Sequence, residues 1–263
     1  MQKMCQIKAQ FCILFTWVIL PIISIMLTRL LTIAGFDPSA GAGLIADIKA
    51  FEHCGFYGQA VCTALTIQNE KSFEKPNWLR WTQIKEQLQI LSKTSDFSYA
   101  KIGLVENPKT LENILKWLRK KYPGIFIIWD PILKASAGFE FHKKNAASWL
   151  KLLTYTNLVT PNLPEAEFFG ILKGSSNAAV LLKGGHSTDS QKSEDLLFLP
   201  GSPTPIKFTA KRIKKERHGS GCTLSALVLA NFAKYNNLEK AIRVSKKSIQ
   251  IFFKNGAFKC CNA

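Results

Sequence analysis

The segment Arg217-His218-Gly219-Ser220-Gly221-Cys222-Thr223 stands directly before an Ala- and Leu-rich run with helical spacing. Small residues at a helix start let backbone N–H groups converge on an anion. A cysteine in the first helical turn sits where the helix dipole lowers a thiol pKa from about 8.5. Cys222 therefore reads as an activatable thiol beside an anion hole built from Gly219, Ser220 and Gly221. That pairing suits phosphoryl transfer, in which positioning and charge stabilisation do most of the work. The same spacing also fits a glycine-containing helix entry with a buried cysteine.

Three further segments carry polar groups at the ends of apolar runs. Gly35-Phe36-Asp37-Pro38-Ser39-Ala40-Gly41-Ala42-Gly43 follows one apolar run and opens a helix. It lacks the third glycine of a dinucleotide fingerprint, and no GK[ST] occurs, so neither a Rossmann site nor a Walker A loop is supported. A tight turn capped by Asp37 or Ser39 is the plainer reading. Asn162-Leu163-Pro164-Glu165 fits a helix cap with Pro in the first turn, or a pair orienting a hydrated Mg2+ near phosphates. In Lys183-Gly184-Gly185-His186 the lysine could reach a nucleotide phosphate, or the segment could be a strand-end turn. His53, His142 and His218 share no zinc spacing with the cysteines, and the absence of GxSxG argues against a Ser/His/Asp hydrolase.

These residues need a scaffold, and the periodicity supplies one. Leu30–Ala34, Ala60–Ile67, Tyr99–Ile102, Ile125–Trp129, Leu158–Thr160 and Ala179–Lys183 read as strands. Helices are expected over Thr82–Ser92, Pro108–Lys121, Lys143–Leu153, Gly221–Tyr235 and Leu238–Phe253. Strands alternating with helices argue for a parallel sheet covered on both faces. Ligands of such sheets gather at the carboxyl ends of the strands. The Gly35–Gly43 loop, Gln68-Asn69, Gly103, Asp130, Asn162, Lys183-Gly184-Gly185 and the loop before Cys222 all fall there.

The chain has 263 residues, of which 47% are hydrophobic and 20% charged, which excludes a disordered, collagenous or disulfide-scaffold protein. Thirty-five basic residues against 18 acidic give +17, but the lysines are scattered, and no nucleic-acid-binding motif accompanies them. Seven cysteines without a CxxC fit a reducing cytoplasm. Residues 1–28 form an apolar extension, uncharged between Lys8 and Arg29 and interrupted by Pro21. It reads as an over-extended start ahead of Met26, with a membrane anchor, a signal or an extra packed helix as the other readings. Residues 29–263 are expected to form one domain.

The segments LTIAGFDPSAGAGLIADIKAF, ALTIQN, AKIGL, DPIL, TPNLPEAE, LLKGGH and HGSGCTLSA occur in one order between Leu30 and Ser248. In that order they resemble the hydroxymethylpyrimidine and phosphomethylpyrimidine kinases of thiamine synthesis, members of the ribokinase-like superfamily. The resemblance implies an α/β three-layer sandwich, with a central, mostly parallel sheet, helices on both faces and a small lid, in a dimeric cytoplasmic enzyme. It implies ATP and Mg2+ as cofactors, and phosphorylation of an aminopyrimidine alcohol and then of its monophosphate.

By the same resemblance Cys222 takes the place of the aspartate base of sugar kinases. Gln68 binds the aminopyrimidine, and Gly35, Asp37, Thr66 and Leu104 shape its pocket. Asp47, Asp130, Asn162 and Glu165 lie around the phosphates and Mg2+, and Lys183 contacts ATP. The chain departs from the family pattern in a short segment from Ile171 to Ala179 and in a C-terminal tail without GxGP. Pyridoxal kinase, or a binding protein that has lost catalysis, are the competing functions. Neither nucleic acid nor a membrane is an expected partner.

Overall fold

The segment Arg29–Phe36 (RLLTIAGF) does not alternate apolar with polar residues, which is the pattern of a strand covered on both faces. It forms β1, with Leu30, Leu31, Thr32 and Ile33 wholly buried. The molecule is described by a computed structural model over residues 28–69, 71–135, 138–142, 146–171, 177–184, 192–211 and 219–254. The apolar extension before residue 28, Gly185-His186, Arg217-His218, the middle of the short 171–179 segment and the tail beyond 254 lie outside the described residues.

β1 is flanked in parallel by β2 (Tyr57–Gln68) and β4 (Tyr99–Ile102). Beyond β4 follow β5 (Phe126–Trp129), β6 (Leu158–Val159) and β7 (Ala179–Leu182), all parallel. Antiparallel strands close both edges: β3 (Phe73–Trp78) against β2, then β8 (Lys192–Phe198) and β9 (Ile206–Lys211) beyond β7. The order is β3-β2-β1-β4-β5-β6-β7-β8-β9. It reverses direction at β1/β4, where a ligand crevice forms outside the carboxyl ends.

Seven helices occur among the described residues: α1 (Gly43–His53), α2 (Trp81–Leu91), α3 (Pro108–Lys121), α4 (Ala146–Leu150), α5 (Leu163–Phe168), α6 (Ser220–Tyr235) and α7 (Leu238–Lys254). In α3 the buried stripe Leu111, Leu115 and Leu118 follows helical spacing, and the Asn107 side chain accepts the Thr110 N–H at 2.9 Å.

Strand parity divides the interior in two. Leu31, Ile33, Ala100, Ile102, Ile127, Trp129, Val159 and Val180 pack with residues of α2, α3 and α4. Leu30, Ile128, Leu158, Ala179 and Leu181 pack with residues of α1, α6 and α7. This is a three-layer α/β sandwich with a mostly parallel sheet. β2 runs past the last β1 pairing, Phe36 with Leu65, so Thr66–Gln68 pair only with β3 and form a two-stranded flap. Phe73 of that flap packs on Phe139 and Phe141 of the loop after β5.

Most expected elements appear within a residue or two of their expected limits. The helix expected over Lys143–Leu153 is instead α4 followed by a 3-10 turn, Lys151–Tyr155. No strand was expected at β3, β8 or β9; Pro76 and the exposed polar residues of β3 and β9 suit sheet edges. No helix among the described residues is long and apolar enough to cross a membrane.

Candidate active site

α6 starts from Gly219, whose φ of 76° is left-handed. A Cβ there would run into the Gly41 carbonyl oxygen, so the two glycine-rich loops meet backbone to backbone. Gly43, with φ of 59°, is pressed in the same way against the Gly35 carbonyl. The free N–H groups of Ser220, Gly221 and Cys222 at the start of a 16-residue helix make an anion-attracting end. Cys222 is partly exposed in the first turn.

Beneath that turn lies a chain of charges. Lys101 is wholly buried, with Nζ 2.6 Å from Asp47 Oδ1 and 3.9 Å from Asp130 Oδ2. Asp130 Oδ1 accepts from Lys183 Nζ and from Thr160 Oγ1, both at 2.8 Å. Lys183 Nζ also lies 3.9 Å from Glu165 Oε2, and 3.2 Å from where a Cβ of Gly221 would stand. The lysine at the end of β7 is therefore at the mouth of the anion-attracting loop.

Sequence reasoning missed Lys101. Its signal was a lysine inside the short buried strand Tyr99-Ala100-Lys101-Ile102, where parity sends it to the α1/α6 face.

Burial acts against each of these charges, and its partners decide the outcome. Burial pushes the Asp130 carboxyl up, but Lys183 and Lys101 outweigh it and hold the group below its usual range. Lys183 resists burial through Asp130 and Glu165 and is raised. Lys101 is also raised, chiefly by Asp47. Asp47 and Glu165 are both pushed up by burial, against the pull of Lys101 and Lys183 respectively.

Cys222 departs from the lowered pKa expected of a first-turn thiol. Burial pushes it up to about 12, Lys101 and Lys183 oppose the rise, and Asp130 and Asp47 reinforce it. The helix dipole is outweighed because protein walls most of the thiol from water and two carboxylates lie close behind it. At neutral pH Cys222 is a thiol.

The expected pocket residues converge at the ends of β1 and β2. A Cβ on Gly35 would lie 3.1 Å from Leu104 Cδ2 and 3.7 Å from Thr66 Cγ2. The Gln68 side-chain amide donates to Thr66 Oγ1 at 2.8 Å, and that hydroxyl donates to the Phe36 carbonyl at 2.7 Å. Asp37 is buried and turned into its own loop, accepting from Ser39 N and Oγ and from Ala42 N. It thus fixes the conformation of the loop.

Asn162 and Glu165 form the reciprocal capping box at the start of α5, at 2.9 and 2.8 Å. They nevertheless stand within reach of Lys183. Asp47, expected around the phosphates, is wholly enclosed, with its oxygens taken by Thr32 at 2.6 Å and by Lys101. It therefore holds Lys101 in place and acts on Cys222 by its charge alone.

Among the described residues no three His, Cys, Asp or Glu side chains gather into a metal cage. Asp130 Oδ2, however, is buried without a hydrogen-bond partner. One such oxygen fits Mg2+, which takes few protein carboxylates and is completed by phosphate oxygens and water.

An anion-attracting helix end with a lysine beside it, and a carboxamide at the end of β2, are groups suited to phosphoryl transfer. Residues 37–259 match the family model described as phosphomethylpyrimidine kinase. The chain belongs to that family. It is 33% identical over 243 residues to the hydroxymethylpyrimidine/phosphomethylpyrimidine kinase of Aquifex aeolicus, covering 86% of this chain and 94% of that one.

Two solved structures extend the likeness. One is the phosphomethylpyrimidine kinase of Clostridium difficile, at TM-score 0.69 and 30% identity, covering 85% of this chain and 98% of that one. The other is the pyridoxal kinase of Staphylococcus aureus in complex with AMP-PCP and pyridoxal, at TM-score 0.74 and 26% identity, covering 89% and 91%. Family membership makes the chain a phosphotransferase.

Proposed function

We propose that the protein transfers the γ-phosphoryl group of ATP to 4-amino-5-hydroxymethyl-2-methylpyrimidine, and then to its monophosphate, in the cytoplasm as a step of thiamine biosynthesis. The observation that carries this reading is the meeting of Lys183 and the Gly219–Gly221 helix entry at one cleft, with the Gln68 pocket on the neighbouring strand ends. The ATP phosphates lie against the N–H groups of Ser220 and Gly221, with Lys183 neutralising charge as it builds on the β–γ bridge. Mg2+ would be held by phosphate oxygens, water and the buried Asp130 Oδ2, which makes no hydrogen bond among the described residues, with Glu165 and Asn162 near by, and it would supply further charge neutralisation.

The acceptor oxygen forms its bond to Pγ as the bond from Pγ to the bridging oxygen breaks, and its proton passes to the ionised form of Cys222. Lys101 and Lys183 favour that ionised form. The thiol's raised pKa then makes turnover climb with pH above neutrality.

Gln68 supports the aminopyrimidine. Its Nε2 donates to Thr66, and its Oε1 is the atom that would accept from an exocyclic amine. Pyridoxal offers no such donor, although the Staphylococcus aureus structure keeps pyridoxal as the second reading. Turnover on both acceptors tests this. The pyrimidine is expected to have a kcat/KM at least about tenfold higher, the scale of one good hydrogen bond. Equal or reversed values would reassign the pocket.

We also propose a homodimer. Phe36, Leu65 and Ile67 form an exposed apolar group at one end of the sheet. Sedimentation of the full chain at twice 29.4 kDa is the expected result.

A further inference from the structure

Asp195 lies on β8, outside the cleft and next to the strand that ends in Lys183. Its side chain is buried, and both oxygens are engaged. Oδ1 accepts the backbone N–H of Gly184 at 2.8 Å, and Oδ2 stands 2.6 Å from Lys246 Nζ on α7. Gly184 is pressed so closely on β8 that a Cβ would run into the Glu194 carbonyl. On its other side, the Lys183 N–H donates to Pro161 O at 2.8 Å. The backbone that launches the Lys183 side chain is therefore clamped on both flanks, by Pro161 before it and Asp195 after it.

The neighbour of Lys246 on α7 reaches α6. Ser245 accepts from Asn231 Nδ2 of α6 at 2.9 Å, and both side chains are buried. Adjacent residues of one helix thus hold the two elements that flank the cleft. Ser245 ties α7 to the helix whose start forms the anion loop, and Lys246, through Asp195, ties it to the strand end that carries Lys183.

We infer that Asp195, braced by Lys246, is a positioning residue that fixes Lys183 against the α6 N-terminus for nucleotide phosphate binding. The inference deepens the reading of the cleft as an ATP site and rests on it for the identity of the ligand.

The test measures ATP binding by calorimetry and both KM values on the full chain, for the wild type, Asp195→Ala, Asp195→Asn and Lys246→Met. Asp195→Ala is expected to weaken ATP binding and raise the ATP KM by about tenfold, the scale of one charge-assisted hydrogen bond. The pyrimidine KM should stay within about twofold on the same scale. Asp195→Asn keeps an acceptor for the Gly184 N–H and should recover most of the loss, while Lys246→Met falls between.

Equal changes in both KM values, or a stability loss with unchanged ATP binding, would overturn the assignment. If Asp195→Ala does not fold, Asp195→Asn and Lys246→Met decide through the same split. Amide exchange at Gly184 gives a readout independent of ligand. A wild type that binds no ATP defeats the cleft reading, while a Gly184 amide equally protected in Asp195→Ala defeats the clamp.

Discussion

Replacing Lys101 by Met tests the electrostatics of the site without touching the cleft surface. Lys101 is wholly buried, and its Nζ is the only ammonium recorded as an ion-pair partner of Asp47 among the described residues. Met fills a similar volume, so the substitution removes charge with little loss of packing. Breaking a buried ion pair from one side costs about 3–5 kcal/mol, because the remaining charge is left uncompensated.

Asp47 lowers that cost by taking up a proton. Burial already pushes its carboxyl up against the opposing pull of Lys101, and removing the lysine lets it rise further. The folded variant then binds one more proton than the unfolded chain, whose aspartate ionises near pH 4. Below that pH both states are protonated. As pH rises the unfolded chain ionises first, so stability falls by up to about 1.4 kcal/mol per pH unit until the folded carboxyl ionises too.

Urea denaturation of the wild type and Lys101→Met between pH 5 and 8 is the assay. The expected result is a variant with a deficit that widens as pH increases. The double variant Asp47→Leu, Lys101→Met should regain at least half of the loss at pH 8, since it also removes the carboxylate that the loss of the lysine leaves unpaired. A single variant within about 1 kcal/mol of wild type and flat with pH would refute the reasoning.

Three other outcomes are expected. At pH 8 a thiol near 12 carries about 2,000-fold less thiolate than a free cysteine, offset about 40-fold by greater nucleophilicity. Iodoacetamide should therefore label Cys222 about fifty-fold more slowly than N-acetylcysteine, by peptide mass spectrometry, and Cys222→Ala should keep pyrimidine binding by calorimetry while losing most turnover. Gly219→Ala forces a left-handed φ and a collision with Gly41, so it should cost about 1–3 kcal/mol in urea denaturation and lower turnover at least about tenfold. Deleting residues 1–25 removes nothing from the described elements, which begin with β1 at Arg29, so the shortened chain should keep the wild-type melting temperature and activity.

Much of this was legible because burial writes itself into local sequence. β1 and β5 are short apolar runs, and β5 leads directly into Asp130. The start of α6 could be read from Gly219-Ser220-Gly221, since few other residues tolerate so close a backbone approach. The antiparallel strands were not legible: β3 carries Pro76, β8 opens on the polar run Lys192 to Asp195, and β9 alternates apolar and polar residues as surface segments also do.

The direction of the Cys222 pKa was missed for a different reason. Sequence shows the helix that favours a thiolate, but it does not show Asp47 and Asp130 arriving behind it from two other elements. Lys101 was hidden likewise, because Asp47 is 54 residues away on α1 and Asp130 lies beyond a whole helix, after β5.

The central claim is that this cleft phosphorylates an aminopyrimidine alcohol twice. Phosphorus NMR of the full chain with ATP, Mg2+ and 4-amino-5-hydroxymethyl-2-methylpyrimidine follows both steps in one tube. The account predicts a monophosphate resonance that grows and is then replaced by the two coupled resonances of a diphosphate, each step releasing one ADP. A folded, ATP-binding protein that leaves the pyrimidine unphosphorylated would contradict it.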